Sequence, residues 1–114
     1  MESRRVRRIN ELVKKAIGDI LEEGRLKRSY PGLITISNVS VSPDLSVGHV
    51  NFTVIGGDDD SAFEYLKRSR HQITSQLAKK VKLRSLPRLQ FHPDEVQKHA
   101  NRIEQLIREI HHNE

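Results

Sequence analysis

Cationic side chains are the chemistry this sequence supplies in quantity. Over residues 61–90, Lys67, Arg68, Arg70, Lys79, Lys80, Lys82, Arg84 and Arg88 face a single acid, Glu64, for a net charge of +7. Residues 1–30 add nine Lys/Arg, among them Arg8 and Lys15, and carry a net +4. Residues 31–60 contain four acids and no Lys or Arg, and residues 91–114 are net −2. The 114-residue chain therefore reaches its overall +5 through two basic segments set against two acidic ones. Clustered Lys and Arg hold phosphates by direct contact and by releasing condensed counterions, so the distribution predicts a nucleic-acid partner. The residues expected to carry it are Lys67, Arg68, Arg70, His71, Lys79, Lys80, Lys82 and Arg84, supported by Arg8 and Lys15.

Other chemistries find little to build on. There is no cysteine, which removes disulfides, thiolate metal sites and a Cys nucleophile together. His49, His71, His92, His99, His111 and His112 never fall at the i, i+4 spacing that makes a metal-binding helix face. Asp58-Asp59-Asp60 lacks the spaced ligands of a calcium loop and reads as the electrostatic start of a helix. No nucleophile motif and no Gly-rich phosphate loop occurs, so neither a catalytic residue nor a cofactor is expected. Aromatic residues are only 4% of the chain, and with Phe52 and Phe91 in the core and Phe63 on an apolar helix stripe only Tyr30 and Tyr65 remain to stack on bases. Recognition by shape and phosphate is therefore expected rather than base stacking on a sheet.

Short elements must position these cations. Ile9, Leu12, Val13, Ala16, Ile17, Ile20 and Leu21 recur at helical spacing, with Ser3 placed to cap the helix and Gly24 to end it. From Leu33 to Ile55 the period changes to two, and Ser42-Pro43-Asp44 marks a turn between two antiparallel strands. The apolar phase of the first strand slips between Ile36 and Val39, which predicts a bulge. Ser61 and Glu64 match a capping box for a second helical segment with apolar Phe63, Leu66, Ile73, Leu77 and Val81. That stripe is interrupted by Ser69-Arg70, so the segment reads as two helices, or one kinked helix, breaking near Ser69-Arg70-His71. Leu86 to Phe91 reads as a third strand. Asp94 with Gln97 caps a final helix whose stripe, Val96, Ala100, Ile103, Ile107 and Ile110, is expected to pack on the sheet. No apolar run approaches the roughly 18–20 residues that span a bilayer, and the N-terminus lacks a secretory stretch, so a cytoplasmic domain is expected.

The resulting order, α-β-β-α-kink-α-β with an additional C-terminal helix, is that of an α+β, KH-like type II domain. It covers residues 1–114, with a core over about 4–94 and the last helix over about 95–112. The Gly-x-x-Gly loop of ordinary KH modules is missing, since no glycine lies between residues 61 and 85. Val39-Ser40-Val41-Ser42-Pro43-Asp44-Leu45-Ser46-Val47-Gly48-His49-Val50 resembles the hairpin pattern V-x-x-S-x-D-L-x-x-A-x-V of the bacterial ribosome-binding factor A family. Leu83-Arg84-Ser85-Leu86-Pro87-Arg88-Leu89-Gln90-Phe91-His92-Pro93-Asp94-Glu95 is similar to its L-R-x-x-P-x-L-x-F-x-x-D-E, and Arg8-Ile9 to its opening Arg-Val/Ile pair. Three positions depart from the pattern: Ser69-Arg70-His71 stands for the family's Ala-x-Gly kink, Gly48 for an alanine, and Lys27-Arg28-Ser29 for Asp-Pro-Arg.

The chain's size predicts a monomer, and the resemblance implies a factor that binds the free small (30S) ribosomal subunit and assists late maturation and 5′-end processing of 16S rRNA without catalysis. It further implies a part in cold adaptation and interplay with a ribosome-associated GTPase. The alternatives are a protein-interaction adaptor that fills a partner's groove with its final helix, or a KH-like RNA binder with no ribosomal role.

Overall fold

The computed structural model of the chain describes residues 3–112, with side chains described to residue 110. Met1 and Glu2 and the side chains of His111 and His112, included in the sequence reading, lie outside the described residues. Helix α1 spans Arg4–Glu23. The Ser3 hydroxyl accepts from the Val6 N–H at 3.1 Å, and Gly24, at φ 65°, closes the helix in the left-handed region that glycine adopts without strain. Ile9, Val13, Ala16, Ile17 and Ile20 are buried along one face. Leu12 is not part of that stripe as expected: it lies about 100° round from Val13 and is half exposed. Asn10 is buried instead, and its Oδ1 accepts from the Val41 N–H at 2.8 Å, tying α1 to the sheet.

Strands β1 (Leu33–Val41) and β2 (Val47–Ile55) pair antiparallel, and the register shifts between Ile36 and Asn38 as the phase slip predicts. The residue left over by the bulge, Ser37, donates its hydroxyl to the Asp94 carboxylate. In the turn, the Asp44 carboxylate accepts from the Ser42 hydroxyl (2.8 Å), the Ser46 N–H (3.1 Å) and the Ser46 hydroxyl (2.7 Å). These bonds, those from the Ser46 and Ser42 side chains foremost, hold its pKa at about 2.

Strand β3 covers Arg88–Pro93 and runs parallel to β2, giving the order β1-β2-β3. It begins two residues later than expected because Pro87 has no N–H to give. The Arg88 N–H supplies a bond to the Ser46 carbonyl at 2.9 Å just where the strand starts.

Helix α2 runs unbroken over Asp59–Lys80. It starts earlier than the Ser61–Glu64 box would place it: Asp58 is the cap, its carboxylate accepting from the Ser61 N–H at 2.7 Å. The predicted failure of the stripe does not occur. Ala62, Leu66, Ser69, Ile73 and Leu77 form the buried row, and Ser69, at 3% exposure, occupies the slot between Leu66 and Ile73. A small side chain fits that slot with no interruption of the helix. Arg70 flanks the row rather than sitting on it.

α1 packs on β1 and α2 on β3, and the two helices touch, so together they cover one face of the sheet. Val39, Val50, Phe52, Leu89 and Phe91 point into that layer and form one core with the helix stripes. The opposite face presents Ser40, His49, Asn51, Arg88, Gln90 and His92, with Leu33 and Ile55 exposed at one end.

Helix α3 (Glu95–His112) is capped as predicted, with Asp94 Oδ1 accepting from the Gln97 N–H at 2.9 Å. It does not pack on the sheet. Every side chain described from Glu95 to Ile110 is exposed, Val96 at 82% and Ile107 at 49%. The open sheet face is polar along His49, Asn51, Gln90 and His92 and bears Leu33 and Ile55 at one end, which the helix leaves exposed. An ion pair from Lys98 to Asp59 at 2.8 Å links α3 to α2.

Candidate nucleic-acid interface

The cations singled out in the sequence are distributed over the helix layer and the turn that leaves α2. Lys67, Arg68, His71, Lys79 and Lys80 project from α2 into solvent, Lys82 and Arg84 from the segment that follows, and Arg8 and Lys15 from α1. Lys67 and His71 are one turn apart and share a helix face, whereas Arg68 and Arg70 leave α2 on nearly opposite flanks, about 160° apart. Arg70 is half-buried, and its Nε is shielded from solvent with no hydrogen-bond partner among the described residues. An orphaned guanidinium N–H is costly, so this side chain is held against the helix flank by packing and not by a polar contact.

Ion pairing divides the set. Lys80 Nζ lies 2.8 Å from the Glu23 carboxylate with both side chains about one-third exposed, which fastens the end of α2 to the end of α1. Lys15 is paired with Asp19 at 3.2 Å, one turn along its own helix. Lys79 and Lys80 also occupy the last turn of α2, where a cation complements the helix dipole. Lys67, Arg68, His71, Lys79, Lys82, Arg84 and Arg8 have no carboxylate partner among the described residues.

Tyr30 and Tyr65, the two aromatic residues left for stacking, are committed to the scaffold. Their rings stand 5.5 Å apart at a 42° tilt. The Tyr30 hydroxyl is 2.6 Å from that of Ser61, and the Tyr65 hydroxyl donates to the Arg28 carbonyl at 2.7 Å. Burial pushes the Tyr65 phenol above its ordinary pKa, the Ser69 hydroxyl partly offsetting that rise. Gly57 and Gly32 make room for Tyr30: a Cβ on Gly57 would fall on the Tyr30 hydroxyl, and one on Gly32 would come within 2.8 Å of the Ile55 carbonyl oxygen. The two tyrosines thus pin the loop after α1 along the flank of α2.

Two features escaped the sequence reading. Lys27 and Arg28, noted there as a departure from a family pattern, lie against α2 beside Arg68. His49 and His92, 43 residues apart, meet across β2 and β3 with Nδ1 and Nε2 at 3.0 Å on the open sheet face. Helical spacing rules cannot find such a pair, because the parallel β2–β3 register brings it together. Among the described residues no group of three or more His, Asp or Glu could hold a metal ion, and no helix is long and apolar enough to cross a membrane. The arrangement can hold anions on the helix layer.

Comparison with known proteins points the same way. Residues 5–107 match the family described as ribosome-binding factor A. The ribosome-binding factor A of Staphylococcus carnosus is 35% identical over 113 residues, covering 97% of this chain and 97% of the relative. Crystallographic ribosome-binding factor A from Thermus thermophilus superposes with a TM-score of 0.66 at 27% identity, over 77% of this chain and 93% of its own. A Thermus thermophilus ribosome-binding factor A homology model, fitted into a cryo-EM map of a 30S complex, superposes at 0.56 and 28% identity. That match covers 81% of this chain and 93% of the other.

Proposed function

This chain belongs to the ribosome-binding factor A family, and on that premise we propose that it binds the free small ribosomal subunit and assists late maturation of 16S rRNA, including formation of its 5′ end, without catalysing a step. The observation that supports this best is the set of cations without carboxylate partners on the helix layer, against an opposite face to which the strands contribute one cation, Arg88. A rigid surface of this kind acts by binding one arrangement of RNA phosphates better than others, and so shifts the RNA toward that arrangement. No chemistry at a bond is required. Release aided by a ribosome-associated GTPase, action in the cytoplasm as a monomer, and importance in the cold belong to the same proposal.

Gradient sedimentation of cell extract tests it. The protein is expected with free small subunits and absent from translating ribosomes; an even spread through the soluble fractions contradicts the proposal. A second reading, a protein adaptor, draws on the exposed apolar stripe of α3. It predicts an association that survives nuclease treatment, whereas the proposed function predicts one that disappears with the RNA.

A further inference from the structure

The loop after α1 and the middle of α2 enclose a cleft of about 390 Å³ lined by Lys27, Arg28, Arg68, Ser69 and Gln72. We propose that this cleft is a binding site for a backbone phosphate of RNA, gripped by Lys27, Arg28 and Arg68; the proposal rests on the functional reading above and gives it a location.

Three observations support it. First, the walls are fixed. Gln72 Oε1 accepts from the Lys27 N–H at 2.9 Å, and the Tyr65 hydroxyl bonds the Arg28 carbonyl at 2.7 Å, so consecutive loop residues are fastened to α2 at two points about two turns apart. With its oxygen used by the loop, the Gln72 amide has its NH2 left to donate. Second, no carboxylate lines the cleft, and none of the three cations has an acidic partner among the described residues. Lys15, Lys80, Lys98 and Arg108, by contrast, are each matched to a neighbouring acid. Gathering three unmatched positive charges around one cleft is repulsive in the free protein, and a bound anion turns that repulsion into attraction. Third, the donors suit a phosphodiester. Guanidinium groups bind its oxygens bidentately, the ammonium adds a point charge, and the amide supplies a neutral donor. The aromatic groups beside the cleft are consumed by the scaffold, so a base gains no stacking surface there, and the site holds the backbone without reading sequence.

The test uses the full chain and purified small subunits. Arg28→Gln with Arg68→Gln is expected to weaken binding about tenfold. It should also flatten the log–log salt dependence by about 0.7–0.9, the amount that one phosphate no longer neutralised takes from the slope. Arg28→Lys with Arg68→Lys, which keeps the charge, is expected to retain most of the slope. In parallel, inorganic phosphate titrated into the wild-type chain should shift the backbone amides of Lys27, Arg28 and Ser69 saturably, and should leave them unmoved in the Gln variant. Unchanged binding and slope in the Gln variant, with binding abolished on substituting Lys79, Lys82 and Arg84, overturns the site while leaving the proposed function standing. Weakened subunit binding at an unchanged salt slope also overturns it, and would assign the cleft to an acidic protein surface or to structure. A chain that binds no small subunits refutes the functional reading, and the phosphate titration then still decides the site.

Discussion

Helices α1 and α3 carry the same kind of pattern and meet opposite fates. Each presents apolar residues at steps of three and four with charged residues around much of the rest of the cylinder. The stripe of α1 is buried in the core, Ile17 and Ile20 completely, while the stripe of α3 stands in water. The difference lies outside both helices. α1 is delivered to the apolar face of β1, whereas α3 leaves the end of β3 and every described side chain along it stays exposed. Periodicity establishes that a helix has a face; the partner surface decides whether that face is buried.

The largest expected effect breaks this comparison most cleanly. Ile17→Ala should destabilise the fold by about 2–5 kcal/mol, while Ile107→Ala on α3 should stay within about 0.5 kcal/mol, both read by urea unfolding. Equal effects would mean that α3 contributes to the same cooperative unit as α1. A smaller effect concerns how α1 is fastened. Asn10→Ala leaves the Val41 N–H buried without its acceptor, for about 1–3 kcal/mol, and Asn10→Asp should recover part of that by restoring an acceptor oxygen. The smallest is at the tip of the hairpin, far from either helix stripe. The folded pKa of Asp44 lies below its ordinary value, so its contribution is fully present above about pH 4 and is lost as the pH falls toward 2. Carboxyl-detected NMR should place its midpoint near 2, and the Ser46 amide should lose protection over the same window. A midpoint near 3.8 would mean that the turn bonds do not persist in solution.

The sequence revealed the fold nearly whole where a local rule sufficed. The α1 caps at Ser3 and Gly24, the bulge before Asn38, the Asp94 cap and the KH-like order could be read because each depends on neighbours within a few residues. Errors arose where a slot is filled by an unexpected residue or where distant residues meet. Ser69 completes a buried row that hydrophobicity alone reports as broken, and Asn10 is buried only because the distant Val41 N–H needs its oxygen. The cations were legible as a cluster but not as individuals: Lys80 is tied to Glu23, 57 residues away in the chain, and Arg28 reaches α2 through Tyr65. Nothing in the one-dimensional pattern separates a cation that fastens two helices from one left open to a ligand.

That separation also gives the account its most direct measurement. The affinity of the full chain for purified small subunits, followed from about 50 to 200 mM salt, should fall by roughly a thousandfold if about six phosphates are neutralised. Lys79→Gln, Lys82→Gln and Arg84→Gln together should flatten that slope by about 2, whereas Lys98→Gln, which removes only the tie between α3 and Asp59, should leave it unchanged. An affinity indifferent to salt, or a slope that responds to Lys98 and not to the helix-layer cations, would contradict the claim that this layer holds the RNA.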